Sequence, residues 1–101
     1  MEKVKAEAIM LKPTDNVVTV VEGAAKGSII HYYNGGELME LELTEDIPPC
    51  HKAALCDIKK GEHIIKYGES IGGALVDISC GGWVSHLNIE SLPRDYDSQI
   101  N

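Results

Sequence analysis

The stretch that decides the fold is residues 51–73, HKAALCDIKKGEHIIKYGESIGG. Mostly apolar residues over 51–58 predict a strand, and residues 59–62 carry a turn signature. Residues 64–67 are β-prone again. Glycines then interrupt the pattern at Gly68, Gly72 and Gly73. The stretch therefore predicts the order strand, turn, strand, turn.

Further short strands are predicted on both sides of this stretch. Alternating apolar and polar residues favour a half-buried strand over 4–10, and the β-branched run 17–21 favours another. The tripeptide Asn34-Gly35-Gly36 predicts a tight hairpin turn. The remaining predicted strands are 28–33 and 37–44, which this turn would join, and then 74–78 and 83–89.

These elements indicate one mainly β, barrel-like domain of about seven short strands. No internal repeat, low-complexity run or second core is evident in the sequence. From Glu90 onward the chain is polar, contains Pro93 and loses its periodicity. We therefore expect a folded domain over 1–92 and a flexible C-terminal tail over 93–101.

The charge balance limits the classes of partner. The chain has 9 Lys and Arg against 16 Asp and Glu, a net charge of −7, and its longest basic run is the pair Lys59-Lys60. Nucleic acid and membrane surfaces are therefore not expected as partners, and an anionic ligand would need a local cluster of cations. With no signal peptide, no membrane-length apolar run and an odd number of cysteines, we expect a reduced, cytoplasmic setting.

Several motifs, read together, resemble one known family. They are PTDN at 13–16, HKAAL at 51–55, IKYGE at 65–69, GWV at 82–84 and NIES at 88–91. They resemble the N-terminal SAF-type (β-clip) domain of the altronate and galactarate dehydratases, which also occurs as the stand-alone alpha subunit of sulfolactate sulfo-lyase. The resemblance implies a SAF-like β-clip fold and covers most of the chain.

The resemblance also implies a function. In the fused members a large second domain follows this module, and this sequence ends where the linker would begin. We therefore expect a small subunit or accessory domain that completes the active site of a separate large subunit, in a sugar-acid dehydratase or a related hydroxy-acid lyase. Its ligand would be an anionic sugar acid. The alternative is a non-catalytic binding or interaction module on the same scaffold.

Dehydration of a sugar acid needs a base, an acid and a group that stabilises the enediolate, commonly a divalent metal. The four histidines are widely separated and match no metal motif, so we expect no metal or other cofactor on this chain. A divalent metal would belong to the complex with the large subunit. We therefore expect the chain alone to be non-catalytic. We also expect a homo-oligomer, because the apolar runs 17–21 and 29–33 would be adhesive as open edges.

Seven residues are candidates for the site. The expected catalytic residues are Lys66 and His51, and the expected substrate-binding residues are Lys52, Tyr67, Gly68, Asn88 and His86. A desolvated lysine can act as a general base or bind a carboxylate. Adjacent residues such as His51 and Lys52 point to opposite faces of a regular strand. The alternatives are that His51 bonds backbone at a strand start and that Lys66 is a solvated strand lysine covering Tyr67.

The last motif departs from the family pattern. Where the resembled family reads Trp-Val-His-x-His-Asn, this chain has Trp83-Val84-Ser85-His86-Leu87-Asn88. Both family histidine positions are therefore occupied by other residues, Ser85 and Leu87. His86 lies between them and would face the other way in a regular strand. Any metal or acid–base role of those histidines is not carried over, and only Asn88 is carried over from this motif as a site residue.

Overall fold

The computed structural model describes residues 6–90, which form nine short β-strands and no helix. The mainly β prediction is confirmed, while the proposed tail over 93–101 lies outside the described residues. The strands are β1 Ala8–Ile9, β2 Val17–Val20, β3 Ile29–Asn34, β4 Glu37–Glu42, β5 His51–Ala54, β6 His63–Lys66, β7 Glu69–Ala74, β8 Trp83–Val84 and β9 Ile89–Glu90. They build three antiparallel sheets with the orders β1-β2-β5-β8, β3-β4 and β6-β7-β9.

The four-stranded sheet lies between two hydrophobic clusters. Because side chains alternate along a strand, Val18 and Val20 of β2 enter the first cluster and Val17 enters the second. The first cluster also contains Ala8, Ile30, Tyr32, Leu41, Leu43, Ile47 and Ala53. The second also contains Ala54, Ile58, Ile64, Ala74, Ile78 and Val84. The expectation of one core is therefore wrong: the apolar β-branched run on β2 serves two cores, one on each face.

One turn recurs four times in the chain, which corrects the expectation that there is no internal repeat. It occupies residues 25–28, 48–51, 59–62 and 79–82, each closed by a bond from the fourth N–H to the first carbonyl, 2.8 to 3.1 Å long. The third residue has positive φ every time, as in a type II turn: Gly27, Cys50, Gly61 and Gly81. Its N–H donates across to Leu43, Val20, Ala74 and Ala54, respectively, at 2.8 to 2.9 Å.

The four turns are joined in two pairs by isolated β-bridges. The N-terminal loop pair, residues 21–28 with 43–51, is bridged between Ala24 and Ile47. The C-terminal loop pair, residues 55–62 with 75–82, is bridged between Ile58 and Ile78. Each pair thus repeats one backbone unit in two copies that face each other.

Two predicted strands are wrong in their positions. The predicted strand 74–78 is instead the end of β7 and a turn, because Gly72 and Gly73 lie inside the strand and do not end it. At Gly72 the backbone of Glu90 on β9 comes so close that a Cβ would overlap its carbonyl oxygen. The predicted strand 83–89 is divided into β8 and β9 by a turn at residues 85–88.

Candidate functional site

Lys52 lies at the centre of the four-stranded sheet. Its strand β5 runs between β2 and β8, and its cross-strand neighbours are Thr19 and Val84. Opposed residues share a face, so Lys52 points to the side of the second cluster, which contains Val84. The residue is half-buried. Burial lowers the pKa of Lys52 below its ordinary value, and the positive charge of Lys66 lowers it further.

Lys66 ends β6 at the tip of the β6–β7 hairpin. The loop residues Tyr67 and Gly68 have φ values of 59° and 74°, the left-handed pair of a type I′ turn. The Lys66 Nζ lies 5.2 Å from the centroid of the Tyr67 ring, within the range of a cation–π contact. The ring thus lies beside the ammonium group without neutralising it.

The hairpin tip is held in place by Asp15, which the sequence analysis named only within the motif PTDN and not as a site residue. Its buried carboxylate accepts hydrogen bonds from the N–H groups of Tyr67 (3.2 Å) and Gly68 (2.8 Å) and from the Lys12 N–H (3.1 Å). Beside it, the Asn16 Oδ1 accepts the Ile65 N–H at 2.7 Å. Since residue 17 begins β2, these bonds hold the hairpin that carries Lys66 against the sheet.

The effect of the Lys66 charge on the Lys52 pKa indicates that the two ammonium groups interact, and we call them the lysine pair. Within residues 6–90, the carboxylate ion pairs are those of His31 with Glu7 and Glu40, and none involves the lysine pair. The other lysines of the described region also lack a carboxylate partner, so what distinguishes the lysine pair is the effect of Lys66 on the half-buried Lys52. Such a pair can bind an anion and favours a carboxylate ligand.

His51 is not brought together with the lysine pair. Its cross-strand neighbour is Val20, so it lies on the side of the first cluster. The Trp83 indole N–H donates to His51 Nδ1 at 3.1 Å, and the two rings meet edge to face with centroids 5.4 Å apart. In the neutral ring the proton is therefore on Nε2. The partner is a side chain and not the backbone that the sequence alternative named.

Asn88 closes the turn between β8 and β9. Its Oδ1 accepts the Ser85 N–H at 2.8 Å and its Nδ2 donates to the Trp83 carbonyl at 2.7 Å. The buried Ser85 hydroxyl accepts the Leu87 N–H at 3.2 Å. The other candidate here, His86, is exposed in the turn and not on a strand. Both ends of the Asn88 amide are thus engaged within the protein.

The described residues do not fit a bound metal. No group of three or more His, Cys, Asp or Glu side chains among residues 6–90 could hold a metal ion. No step proposed below therefore passes through a metal on this chain. The described part of the chain also contains no helix that is long and apolar enough to cross a membrane.

Comparison with known proteins connects this geometry to a family. Residues 6–92 match the family described as the altronate/galactarate dehydratase SAF domain. The chain is 36% identical over 89 residues to altronate dehydratase of Escherichia coli (strain K12), which covers 88% of this chain and 17% of that protein. It is 40% identical over 76 residues to galactarate dehydratase (L-threo-forming) of the same strain, covering 75% and 14%, respectively.

A shorter relative matches as well. The chain is 44% identical over 46 residues to (2R)-sulfolactate sulfo-lyase subunit alpha of Paracoccus pantotrophus, covering 46% of this chain and 69% of that subunit. It spans less than a fifth of the length of the two dehydratases. On the match over residues 6–92, the chain belongs to the SAF domain family of the altronate and galactarate dehydratases.

Proposed function

We propose that this chain is a small subunit or accessory domain of a sugar-acid dehydratase or related hydroxy-acid lyase, and that it completes the active site of a separate large subunit. The observation that carries the proposal is the lysine pair, in which the charge of Lys66 at the hairpin tip acts on the half-buried Lys52 of the four-stranded sheet. The family match supports the reaction class. The relative named as a subunit supports the division between two chains.

The lysine pair suits the chemistry of such a lyase. Removal of the proton α to a carboxylate builds up negative charge on the carboxylate oxygens, and neighbouring ammonium groups stabilise it. Lys66, beside the Tyr67 ring, would bind the substrate carboxylate. Lys52, whose pKa is lowered, would be the better proton acceptor of the two. Gly68 would serve by allowing the left-handed turn that presents Lys66.

The other candidates would act at a different place. His51 carries its donor on Nε2 and lies on the opposite side of the sheet from Lys52. It would reach a ligand only on that side, where the large subunit would have to present one. Asn88 would act mainly by shaping the turn that also carries the exposed His86.

The test is Lys66→Met, which keeps most of the side-chain stem and removes the charge. Activity would be measured in a complex with a co-expressed candidate large subunit, and sugar-acid binding by titration of that complex. Loss of a desolvated ion pair costs about 2 to 5 kcal/mol, or about thirtyfold to several thousandfold in affinity. The matched control is Lys59→Met, in an exposed turn. Full activity of folded Lys66→Met protein would remove the lysine pair from the site.

The second candidate function is a non-catalytic binding module. It is favoured by the replacement of two family histidines by Ser85 and Leu87, since the buried Ser85 hydroxyl is already bonded to backbone. Tight binding of a hexarate, a hexonate or sulfolactate by the isolated chain would favour this function. Binding that requires the large chain would favour the accessory subunit.

The setting and assembly of the chain are also proposals. All three cysteines, Cys50, Cys56 and Cys80, are free, which supports a reduced compartment such as the cytoplasm. The two-stranded β3–β4 sheet supports self-association, because a sheet of two strands leaves edges to cover. Light scattering at high micromolar concentration would detect the homo-oligomer, and a monomeric mass would contradict it.

A further inference from the structure

The strand β4 has an edge along which no other described strand lies. Its sheet has the order β3-β4, so β3 is its one hydrogen-bonded strand partner within residues 6–90. The opposite edge of this sheet is covered at His31, whose N–H donates to Glu7 Oε1 at 2.7 Å. The six residues of β4 pair with β3 in one continuous register, and none of them is Pro or Lys. The strand thus lacks the bulge, the proline and the lysine that commonly block an edge.

The register identifies the backbone groups that this edge presents. The Leu43 N–H donates to the Ser28 carbonyl at 2.9 Å, and hydrogen-bonded pairs alternate with non-bonded pairs along an antiparallel ladder. Leu38 and Glu40 therefore belong to non-bonded pairs, which agrees with the outward N–H of His31 opposite Glu40. Their own N–H groups point away from β3, and neither donates to another backbone carbonyl in the described region.

The open part of the edge is short and exposed. It ends at Glu42, because the carbonyl of that residue lies against the backbone of Gly81. Residues 37–41 remain, and we call them the β4 edge. The side chains of Glu37, Leu38 and Glu40 are exposed, whereas Leu41 is buried in the first cluster. A further strand could therefore reach the outward N–H groups of this edge without displacing the core.

The surroundings of the β4 edge are acidic. No Lys or Arg occurs between Lys26 and Lys52. That span contains five acidic residues, Glu37, Glu40, Glu42, Glu45 and Asp46. A second copy, the competing occupant of this edge, would bring the same glutamates alongside, and like charges on paired strands are destabilising. A strand that carries lysine or arginine is attracted instead.

We propose that the β4 edge binds an extended segment of another protein in which basic and apolar residues alternate. The segment adds a strand to the sheet, and bonds to the backbone of Leu38 and Glu40 provide affinity. Because opposed residues share a face, its basic side chains lie beside Glu40. Its apolar side chains lie on the other face beside Met39, which is half-buried against the first cluster. The proposal rests on the strand edge and its charge, and is independent of the lyase function.

The test uses the full isotope-labelled chain and, as the probe, the blocked peptide Lys-Val-Lys-Val-Lys-Val-Lys. We expect the largest amide shifts in nuclear magnetic resonance spectra at Leu38 and Glu40, with small ones at Ile58 and Ile78 in the C-terminal loop pair. The control peptide has glutamate in place of lysine and should bind at least about tenfold more weakly. Binding of the lysine peptide should also weaken as salt is added. Shifts centred on another surface, or equal binding of the two peptides, would overturn the proposal.

Two variants separate the backbone contact from the charge. Leu38→Pro removes an outward N–H that the ladder with β3 does not use, so it should weaken binding of the lysine peptide about fivefold, the effect of one hydrogen bond. Glu40→Gln leaves the backbone unchanged and should weaken binding about threefold, a loss that disappears at high salt. The matched control is Glu69→Gln, an exposed glutamate on β7, which should bind as wild type does.

Two results with these variants would contradict the proposal. Wild-type affinity of both Leu38→Pro and Glu40→Gln for the lysine peptide would place that peptide away from the β4 edge. A dimer in light scattering that Leu38→Pro dissociates would assign the edge to a second copy of this chain.

Discussion

The two loop pairs have the same backbone frame but different bracing. In both, a two-residue bridge and crossing bonds from the left-handed residues join two facing turns. In the C-terminal loop pair the bracing is reciprocal: Asp57 Oδ1 accepts the Cys80 N–H and Asp77 Oδ1 accepts the Lys60 N–H, both at 2.8 Å. The N-terminal loop pair has a single carboxylate bond of this kind, in which Asp46 Oδ1 accepts the Lys26 N–H at 2.7 Å. The position equivalent to these three aspartates in the remaining turn is Gly23, which has no carboxylate.

The difference shows that the turn positions, and not a conserved sequence, define the repeated unit. Each unit needs one residue that tolerates positive φ, and the N-terminal loop pair places a non-glycine there, Cys50, with φ of 63°. The better-braced C-terminal loop pair contributes Ile58 and Ile78 to the second cluster. That cluster lies on the face of the sheet from which Lys52 projects. The stiffer half of the molecule therefore supports the lysine pair.

The largest expected effect is that of Gly81→Ala. At φ of 81° an alanine is strained, and its Cβ would overlap the Glu42 carbonyl oxygen. Strain and overlap together should cost about 3 to 5 kcal/mol of unfolding free energy. The matched control is Gly61→Ala, with φ of 90° but nothing within 4 Å of its Cβ, which should cost about 1 to 2 kcal/mol. Equal urea midpoints for Gly81→Ala and Gly61→Ala would show that the two turns tolerate a Cβ equally well.

A smaller effect is expected when one brace is removed. Asp57→Ala leaves the Cys80 N–H without its acceptor and should cost about 1 to 2 kcal/mol. It also converts the C-terminal loop pair into one with a single carboxylate, like the N-terminal pair. Amide exchange at Ile58 and Ile78 should then approach that at the other bridge. Unchanged protection at Ile58 would mean that the carboxylates are not what stiffens this half.

Cys50→Gly should stabilise the protein slightly. Glycine relieves the strain of positive φ, which stabilises the folded state by about 1 to 2 kcal/mol. It also raises the conformational entropy of the unfolded chain, which costs about 0.5 to 1 kcal/mol. A net gain of a few tenths to about 1 kcal/mol corresponds to a rise of a few degrees in melting temperature. Cys50→Ala is the control, since it removes the thiol and keeps the strain. A gain of the same size for both variants would assign it to the thiol.

Much of the fold was predictable from local pattern. The hairpin at Asn34-Gly35-Gly36, the alternation along β4 and the order of β5, turn and β6 are confirmed, whereas β7 was not predicted. The errors arose where tertiary packing determined the backbone, as at Gly72, which lies inside β7 against β9. The missed repeat had a signal: Leu-x-Asp-Ile-x-x-Gly occurs at 55–61 and again at 75–81. Of the N-terminal copies, residues 44–50 keep only the Asp-Ile pair, Asp46-Ile47, and residues 21–27 keep only the glycine, Gly27, so the same backbone forms on different sequences.

The site was less predictable. The motif IKYGE pointed to Lys66, but the position of its hairpin against the sheet depends on a long-range contact between residues 15–16 and the hairpin tip. A local sequence pattern does not show to which distant backbone N–H groups an aspartate will hydrogen-bond. The pairing of His51 with Trp83 likewise depends on the neighbouring positions of β5 and β8, 32 residues apart in sequence.

The smallest predicted effect concerns Glu7, which bonds to the N-terminal half of the molecule but does not belong to the N-terminal loop pair. Glu7 Oε1 accepts the His31 N–H at 2.7 Å, and the Glu7 carbonyl accepts the N–H of Val21, where that loop pair begins. The bond from the His31 backbone is the main reason that the pKa of Glu7 lies below its ordinary 4.5. The C-terminal loop pair has no bond to this residue among those described.

A depressed carboxyl pKa sets the sign of the pH dependence. Below pH 4.5 the unfolded chain takes up the proton at Glu7 before the folded one does, so the stabilisation is present above 4.5 and is lost as the pH falls through the folded value. Amide exchange at His31 and Val21 should therefore rise on acidification, with little change at Ile58. Glu7→Gln keeps an acceptor that does not titrate, so it should show a flatter acid response at those two amides. The same acid response in wild type and variant would assign it to another carboxylate, such as Glu40, whose Oε2 lies 3.5 Å from His31 Nε2.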